Sequence, residues 1–229
     1  QYPIYTRKKD SLEAQEEVLF DCNEMAKGYD YFRLVGINVS PDNTKVTYGV
    51  DTESRRKYTI FVKDLETNQV LETEIKNTTG GTAWAADNSH FFYVKKNVQT
   101  LRSEKVFRHN IESPGDLDPL IFHEKDETFG TYVTKSKSKK YIIIGSYSTL
   151  STEAQYLDAN NPTGTFTMLQ KREADLEYNV AHYEDHFYLL TNKDEATNFK
   201  LMKTPVTATT KENWVDVIPH RKDTLLEDF

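Results

Sequence analysis

Two histidines, His182 and His186, bracket Tyr183-Glu184-Asp185 within residues 179–192, NVAHYEDHFYLLTN. Imidazoles four apart with carboxylates between them are the donor types of a zinc site. On a helix, positions i and i+4 share one face, which is why metal-binding helices use that spacing. On a β-hairpin the same two side chains fall on opposite strands, with no third ligand within sequence reach. The flanks decide between the two. Val180 and Phe187-Tyr188-Leu189-Leu190 favour a strand, so the stretch reads as a hairpin and no metal site is expected.

Other chemistries fail on composition. The nine glycines (28, 36, 49, 80, 81, 115, 130, 145, 164) include no pair four apart, so no Gly-x-Ser-x-Gly nucleophile elbow exists. The same lack of clustered glycine removes the phosphate-binding loop and the dinucleotide fingerprint. Catalytic residues and cofactors are therefore not expected in this chain. Cys22 is the only cysteine. It reads as a small hydrophobe, permits no internal disulfide, and leaves the redox compartment open. A net charge of −7 gives no sequence-independent attraction to nucleic acid or an anionic membrane, and no apolar run has transmembrane length. The run KSKSKK (135–140) reads as a charged hairpin tip, with an anion patch as the alternative. Asn38-Val39-Ser40 and Asn77-Thr78-Thr79 match the glycosylation sequon at places where strand ends need such residues.

The elements that carry these residues repeat. Segments 37–50, 82–95, 131–145 and 179–192 each read as a strand, a polar turn and a more apolar strand. The first apolar residues after the turns, Val46, Phe91, Tyr141 and Phe187, are spaced by 45, 50 and 46 residues. Third strands are expected at 57–65, 104–111, 153–160 and 198–204, and fourth strands at 69–76, 118–125, 165–172 and 214–220. Four strands every 45 to 50 residues is the pattern of a β-propeller blade. A β-sandwich with irregular strands is the competing architecture, but it need not repeat at that period. Tyr58, Ile60 and Val62 alternate with Thr59, Phe61 and Lys63, whereas 90–96 (HFFYVKK) is apolar almost throughout, as expected of a strand packed between two blades. Helical periodicity is weak; Ser11 to Gln15 is the best short candidate.

The expected fold is therefore all-β: a partial, open propeller of four-stranded antiparallel blades. Residues 1–28 supply the outer strands of a leading blade, 29–77, 78–126, 127–173 and 174–222 are blades, and 223–229 opens a further one. Gln1 at the first position and a strand-like end at 224–229 read as a piece cut from a longer chain. In such an arc the exposed apolar faces of the terminal blades predict self-association. Loops between second and third strands share one face, and they bring Arg55, Arg56 and Arg102 together on it. That basic group on an acidic chain suits a surface that docks carboxylates; solvated loop charges are the alternative.

Several long strings carry a family resemblance: EEVLFDCNEMAKGYDYF (16–32), VSPDNTKVTYGVDTESRRKYTIFVKDLET (39–67), TLRSEKVFRHNI (100–111), EKDETF (124–129) and YNVAHYEDHFYLLTN (178–192). They resemble the propeller of the oligopeptidase B group in the prolyl oligopeptidase family of serine peptidases, and the resemblance covers essentially all 229 residues. It implies about four to four and a half of seven blades, seated in the family on an α/β-hydrolase domain with a Ser-Asp-His triad that this chain lacks. It implies a role in gating short peptides, in a parent that cleaves after basic residues. It also implies that the face with the second-to-third loops looks toward the catalytic domain, placing Arg55, Arg56, Arg102 and Tyr147 near the domain interface or substrate cavity. A cytoplasmic location follows from the same resemblance, with the periplasm as the alternative. A self-standing propeller that binds a protein or peptide is the rival reading of function.

Overall fold

A computed structural model describes all 229 residues. It contains seventeen strands, one helical turn and two short 3₁₀ turns. A leading pair, β1 (Ile4–Lys8) and β2 (Glu16–Asp21), forms a two-stranded sheet. The helical turn α1 (Cys22–Met25) follows, capped by the Asp21 carboxylate, which accepts from the backbone N–H groups of Asn23 and Glu24. The short helical candidate at 11–15 does not form a helix. Those residues make turns and bends, entered through Asp10 at φ +68°.

The first blade holds β3 (Arg33–Val39), β4 (Lys45–Asp51), β5 (Tyr58–Asp64) and the first half of β6 (Val70–Trp84). The second uses the other half of β6, then β7 (His90–Lys96), β8 (Ser103–Asn110) and β9 (Leu120–His123). The third is β10 (Gly130–Lys135), β11 (Tyr141–Tyr147), β12 (Thr152–Asp158) and β13 (Thr167–Gln170). The fourth is β14 (Tyr178–Tyr183), β15 (His186–Thr191), β16 (Lys200–Pro205) and β17 (Val215–Ile218). All pairings are antiparallel between consecutive strands, and the arc is not closed.

The division expected at 77/78 falls within β6, which pairs with β5 as far as Thr78 and with β7 from Thr78 onward, so that the first two blades share one seven-stranded sheet. Residues 223–229 make no strand; a single bridge joins Arg221 to Thr224, and no later strand in these residues offers a partner.

The cores lie between blades rather than within them. Leu19, Phe20 and Cys22 pack on Phe32, Leu34, Val46 and Tyr48. Ile60, Val62 and Ile75 meet Trp84, Phe91 and Tyr93. Ala83, Phe92, Val94 and Val106 meet Ile142, Ile144 and Leu157. Ile143, Ala154 and Leu169 meet Tyr178, Phe187, Leu189 and Trp214. In β7, Phe91 and Tyr93 thus face the first blade while Phe92 and Val94 face the third, which explains the unbroken apolar run. Each buried ring contributes roughly 1.5–3 kcal/mol.

Candidate functional site

Antiparallel alternation sends the second-to-third loops and the blade-to-blade connections to one face of the arc, here called upper. The hairpin turns after each first strand lie on the lower face, close to the central axis because first strands are innermost. The lower turns hold the histidines. His182 on β14 pairs across the ladder with Phe187, and Tyr183 pairs with His186. Nδ1 of His182 lies 2.8 Å from Ser138 Oγ of the third blade, whereas Nδ1 of His186 lies 2.6 Å from its neighbour Asp185. The two rings serve different partners, and no three His, Cys, Asp or Glu side chains converge as a metal would require. His182 is buried against Tyr141 and Phe187. Burial first, and then the charge of Lys140, lower its pKa.

The KSKSKK turn carries exposed Lys137, Lys139 and Lys140, and Ser136 Oγ lies 2.8 Å from Ser138 Oγ. Lys139 takes φ +64°, where the equivalent turns place Asn43 and Asn88, both at +61°. The sequon at Asn38 is occupied in another way: its amide donates to Thr82 O at 2.7 Å, tying the first blade to the second.

On the upper face the four residues singled out from sequence part company. Arg102 is a clamp inside the fold. Its guanidinium donates to the carbonyls of Glu124, Asp126 and Phe129 and to the Glu104 carboxylate, at 2.9–3.2 Å. It holds the connection between the second and third blades, and its guanidinium is engaged within the chain. Arg172 works alongside it. It bonds Glu124 at 2.6 Å and Glu153 at 3.3 Å, and it lies over the Phe129 ring at 4.0 Å. Burial raises the pKa of Glu124, but hydrogen bonds from Arg172 and the Asp126 N–H, with the Arg172 charge, outweigh it and hold this carboxyl below its usual range.

Arg55 and Arg56 are exposed, and neither guanidinium has an intramolecular partner. The loop beneath them is rigidly specified. The buried Asp51 carboxylate accepts from the backbone N–H groups of Glu53 at 2.9 Å and Arg56 at 2.7 Å, and Lys96 Nζ donates to Arg56 O at 2.7 Å. Arg33, which sequence reasoning did not single out, starts β3 directly across from Asp51 and is also unpaired. Tyr147 ends β11, is 50% exposed, and lies against Tyr132 with ring centroids 6.1 Å apart. A polar depression of about 680 Å³ separates the third and fourth blades on this face. Its Glu173 is paired with Lys211, and its Asp194 with Lys193 and Lys200.

The family model described as the prolyl oligopeptidase N-terminal beta-propeller domain matches residues 1–229. A dipeptidyl aminopeptidase BI from Pseudoxanthomonas mexicana is 36% identical over 100% of this chain and 34% of its own length. A protease 2 from Moraxella lacunata is 31% identical with the same coverage. Among solved structures, oligopeptidase B from Leishmania major aligns with a TM-score of 0.88 and 27% identity over 98% of this chain and 32% of that one. Oligopeptidase B from Trypanosoma brucei with covalently bound antipain aligns at 0.83 and 29% identity, over 93% and 30%. The chain spans about a third of the length of the curated relatives it matches.

Proposed function

The chain belongs to the prolyl oligopeptidase family as its N-terminal β-propeller domain, and from that premise we propose that it is the non-catalytic, substrate-gating part of an oligopeptidase-B-like serine peptidase. The parent hydrolyses short peptides, after basic residues, by acyl transfer through a serine that lies outside these 229 residues. The observation that carries the reading is the match of the family model along the whole chain. The fold is compatible with it, since the cores sit between blades and the arc is not closed. In this reading the upper face receives the catalytic domain, with Arg55 and Tyr147 among its contacts. Further blades then cover the apolar side chains now exposed on the terminal sheets, such as Val18, Val215 and Val217; without them, copies of the arc self-associate. A cytoplasmic setting belongs to the proposal and rests on the resemblance alone.

The test is hydrolysis of an arginine ester and of short arginine-containing peptides by the complete gene product that carries this chain, with and without a serine-directed inhibitor. Inhibitor-sensitive turnover is expected from the complete protein and none from the 229 residues alone. Turnover by the isolated chain, or none by the complete protein, overturns the reading.

A further inference from the structure

Of the eight arginines in the chain, five are engaged within it: Arg7, Arg102, Arg108, Arg172 and Arg221 bond to carboxylates or carbonyls. The three without an intramolecular partner, Arg33, Arg55 and Arg56, all belong to the first blade and all are exposed. Chance solvation would scatter such residues; here the backbone gathers them. Arg33 stands opposite Asp51 in the β3–β4 ladder. The 51–57 loop then folds back so that the Arg56 N–H reaches the Asp51 carboxylate, while Lys96 of the second blade fixes the Arg56 carbonyl.

The one nearby buried carboxylate makes no ion pair with these cations. The two oxygens of Asp51, 1% exposed, take backbone N–H groups of the loop, one each, and no guanidinium pairs with it. The loop also holds an uncommon conformation. Ser54 lies at φ +59° and Arg56 at +54°, a region that costs non-glycine residues of order 1 kcal/mol or more and persists only where the surroundings impose it. Arg56 is imposed from both sides, through its N–H and its carbonyl, and its side chain is left free. Burial first, and then the Arg56 charge, lower the pKa of Lys96, with Asp51 opposing. Burial raises the Tyr58 phenol, and the charges of Arg33 and Arg56 oppose that rise. Arg33, Arg56, Lys96 and Tyr58 therefore share one positive neighbourhood at the upper end of the innermost strand β3.

We propose that Arg33, Arg56 and Lys96 form an anion subsite for the free C-terminal carboxylate of a short peptide. Two guanidinium forks match the planar carboxylate, and the ammonium adds a point charge beside them. This rests on the peptide-binding reading above, but it is read by equilibrium binding to this chain and needs no turnover. A complete protein that proves inactive would leave the binding result standing, and the converse also holds.

The experiment titrates the ¹⁵N-labelled chain with trialanine, with trialanine amide, and with an acetylated, amidated Ala-Asp-Ala that carries only a side-chain carboxylate. Arginine Nε–Hε shifts report the site. The free acid is expected to bind about tenfold more tightly than the trialanine amide, with the shifts confined to Arg33 and Arg56. Arg56→Gly removes the guanidinium at a backbone angle that glycine adopts freely, so the fold is kept while the preference is lost. Arg33→Gln, at an exposed and unpaired position, gives the same loss independently. Equal binding of acid and amide, or a preference that survives both substitutions, overturns the proposal. Equal binding of the Ala-Asp-Ala peptide overturns the assignment to a chain terminus.

Discussion

The junction between the first and second blades and that between the second and third join the same kind of sheet by different means. At the first, the chain crosses without a loop. β6 passes from one blade to the next at Gly80, which takes φ +85°. A Cβ on Gly36 would lie 2.2 Å from the Gly80 carbonyl oxygen, and one on Gly49 would lie 2.5 Å from Gly80 Cα. Three strands thus approach as closely as only glycine permits. Beside the crossing the polar bonds use no ionised side chain: Asn38 donates to Thr82 O, Trp84 Nε1 donates to Asn38 O, Thr47 and Thr82 share a hydroxyl bond, and Asn88 accepts from Asp42 N–H; the Lys96 bond to Arg56 O lies apart from them, at the upper edge of the same junction. At the second junction a loop makes the connection, and Arg102, Glu104, Glu124, Glu153 and Arg172 hold it. A repeated strand pattern thus fixes the blades but not the coupling between them, which is steric in one place and electrostatic in the other.

The strongest way to break the comparison is Gly80→Val. The new side chain would meet Val35 Cγ2 at 2.5 Å and Tyr58 Cγ at 2.9 Å, at a backbone angle valine disfavours. Strain and overpacking together cost about 4 kcal/mol, a large share of a domain's stability. Denaturant titration should show it, with Gly81→Ala as a control: a Cβ there meets nothing within 4 Å, and a shift below about 1 kcal/mol is expected. Equal effects of the two would remove the glycine crossing as the coupling element.

Arg172→Met probes the electrostatic junction, keeping apolar cover on Phe129 while stripping Glu124, whose side chain is 4% exposed, of its strongest partner. A cost of about 2 kcal/mol is expected. Because the folded pKa of Glu124 is depressed, its stabilising contribution is complete above the unfolded value of 4.5 and is lost as pH falls through the folded value. Hydrogen exchange in acid should therefore accelerate at residues 124–131 before it does at 78–84. Uniform acceleration would mean that the two junctions do not differ as described.

Much of this was legible in the sequence, for a local reason. Turn chemistry such as Asp42-Asn43 and Asp87-Asn88 fixes hairpins over a few residues, and Val46, Phe91 and Phe187, chosen as markers from sequence, are completely buried. The continuity of β6 was not legible, because Asn77 to Gly81 has turn composition and only the neighbouring glycines reveal a crossing. The helical turn at 22–25 was missed because its signal is one capping aspartate and four residues. At the candidate site, the exposure of Arg55 and Arg56 followed from loop polarity. The fate of Arg102 did not, since its acceptors are mostly backbone carbonyls 22 to 27 positions away, which carry no residue-type signal. Arg33 went unnoticed because its grouping with Arg56 depends on strand register across Asp51.

The smallest predicted effect has the opposite sign and tests whether the third blade's hairpin is only a charged variant of the others. Its geometry repeats that of the first blade bond for bond. Ser40 N donates to Lys45 O at 2.8 Å and Asn43 N to Ser40 O at 2.9 Å; Ser136 N donates to Tyr141 O at 2.9 Å and Lys139 N to Ser136 O at 2.8 Å. Asn43 and Lys139 both sit in the left-handed region, which asparagine tolerates better than lysine. Burial lowers the pKa of Lys135, and the charge of Lys139 adds to that, so the exposed lysine also repels a half-buried one. Lys139→Asn relieves both terms and should stabilise the chain by about 0.5–1 kcal/mol, read as a rise in the denaturation midpoint without a change in slope. A loss of stability instead would mean that the Lys139 side chain contributes more to the fold than its backbone angle and its charge cost.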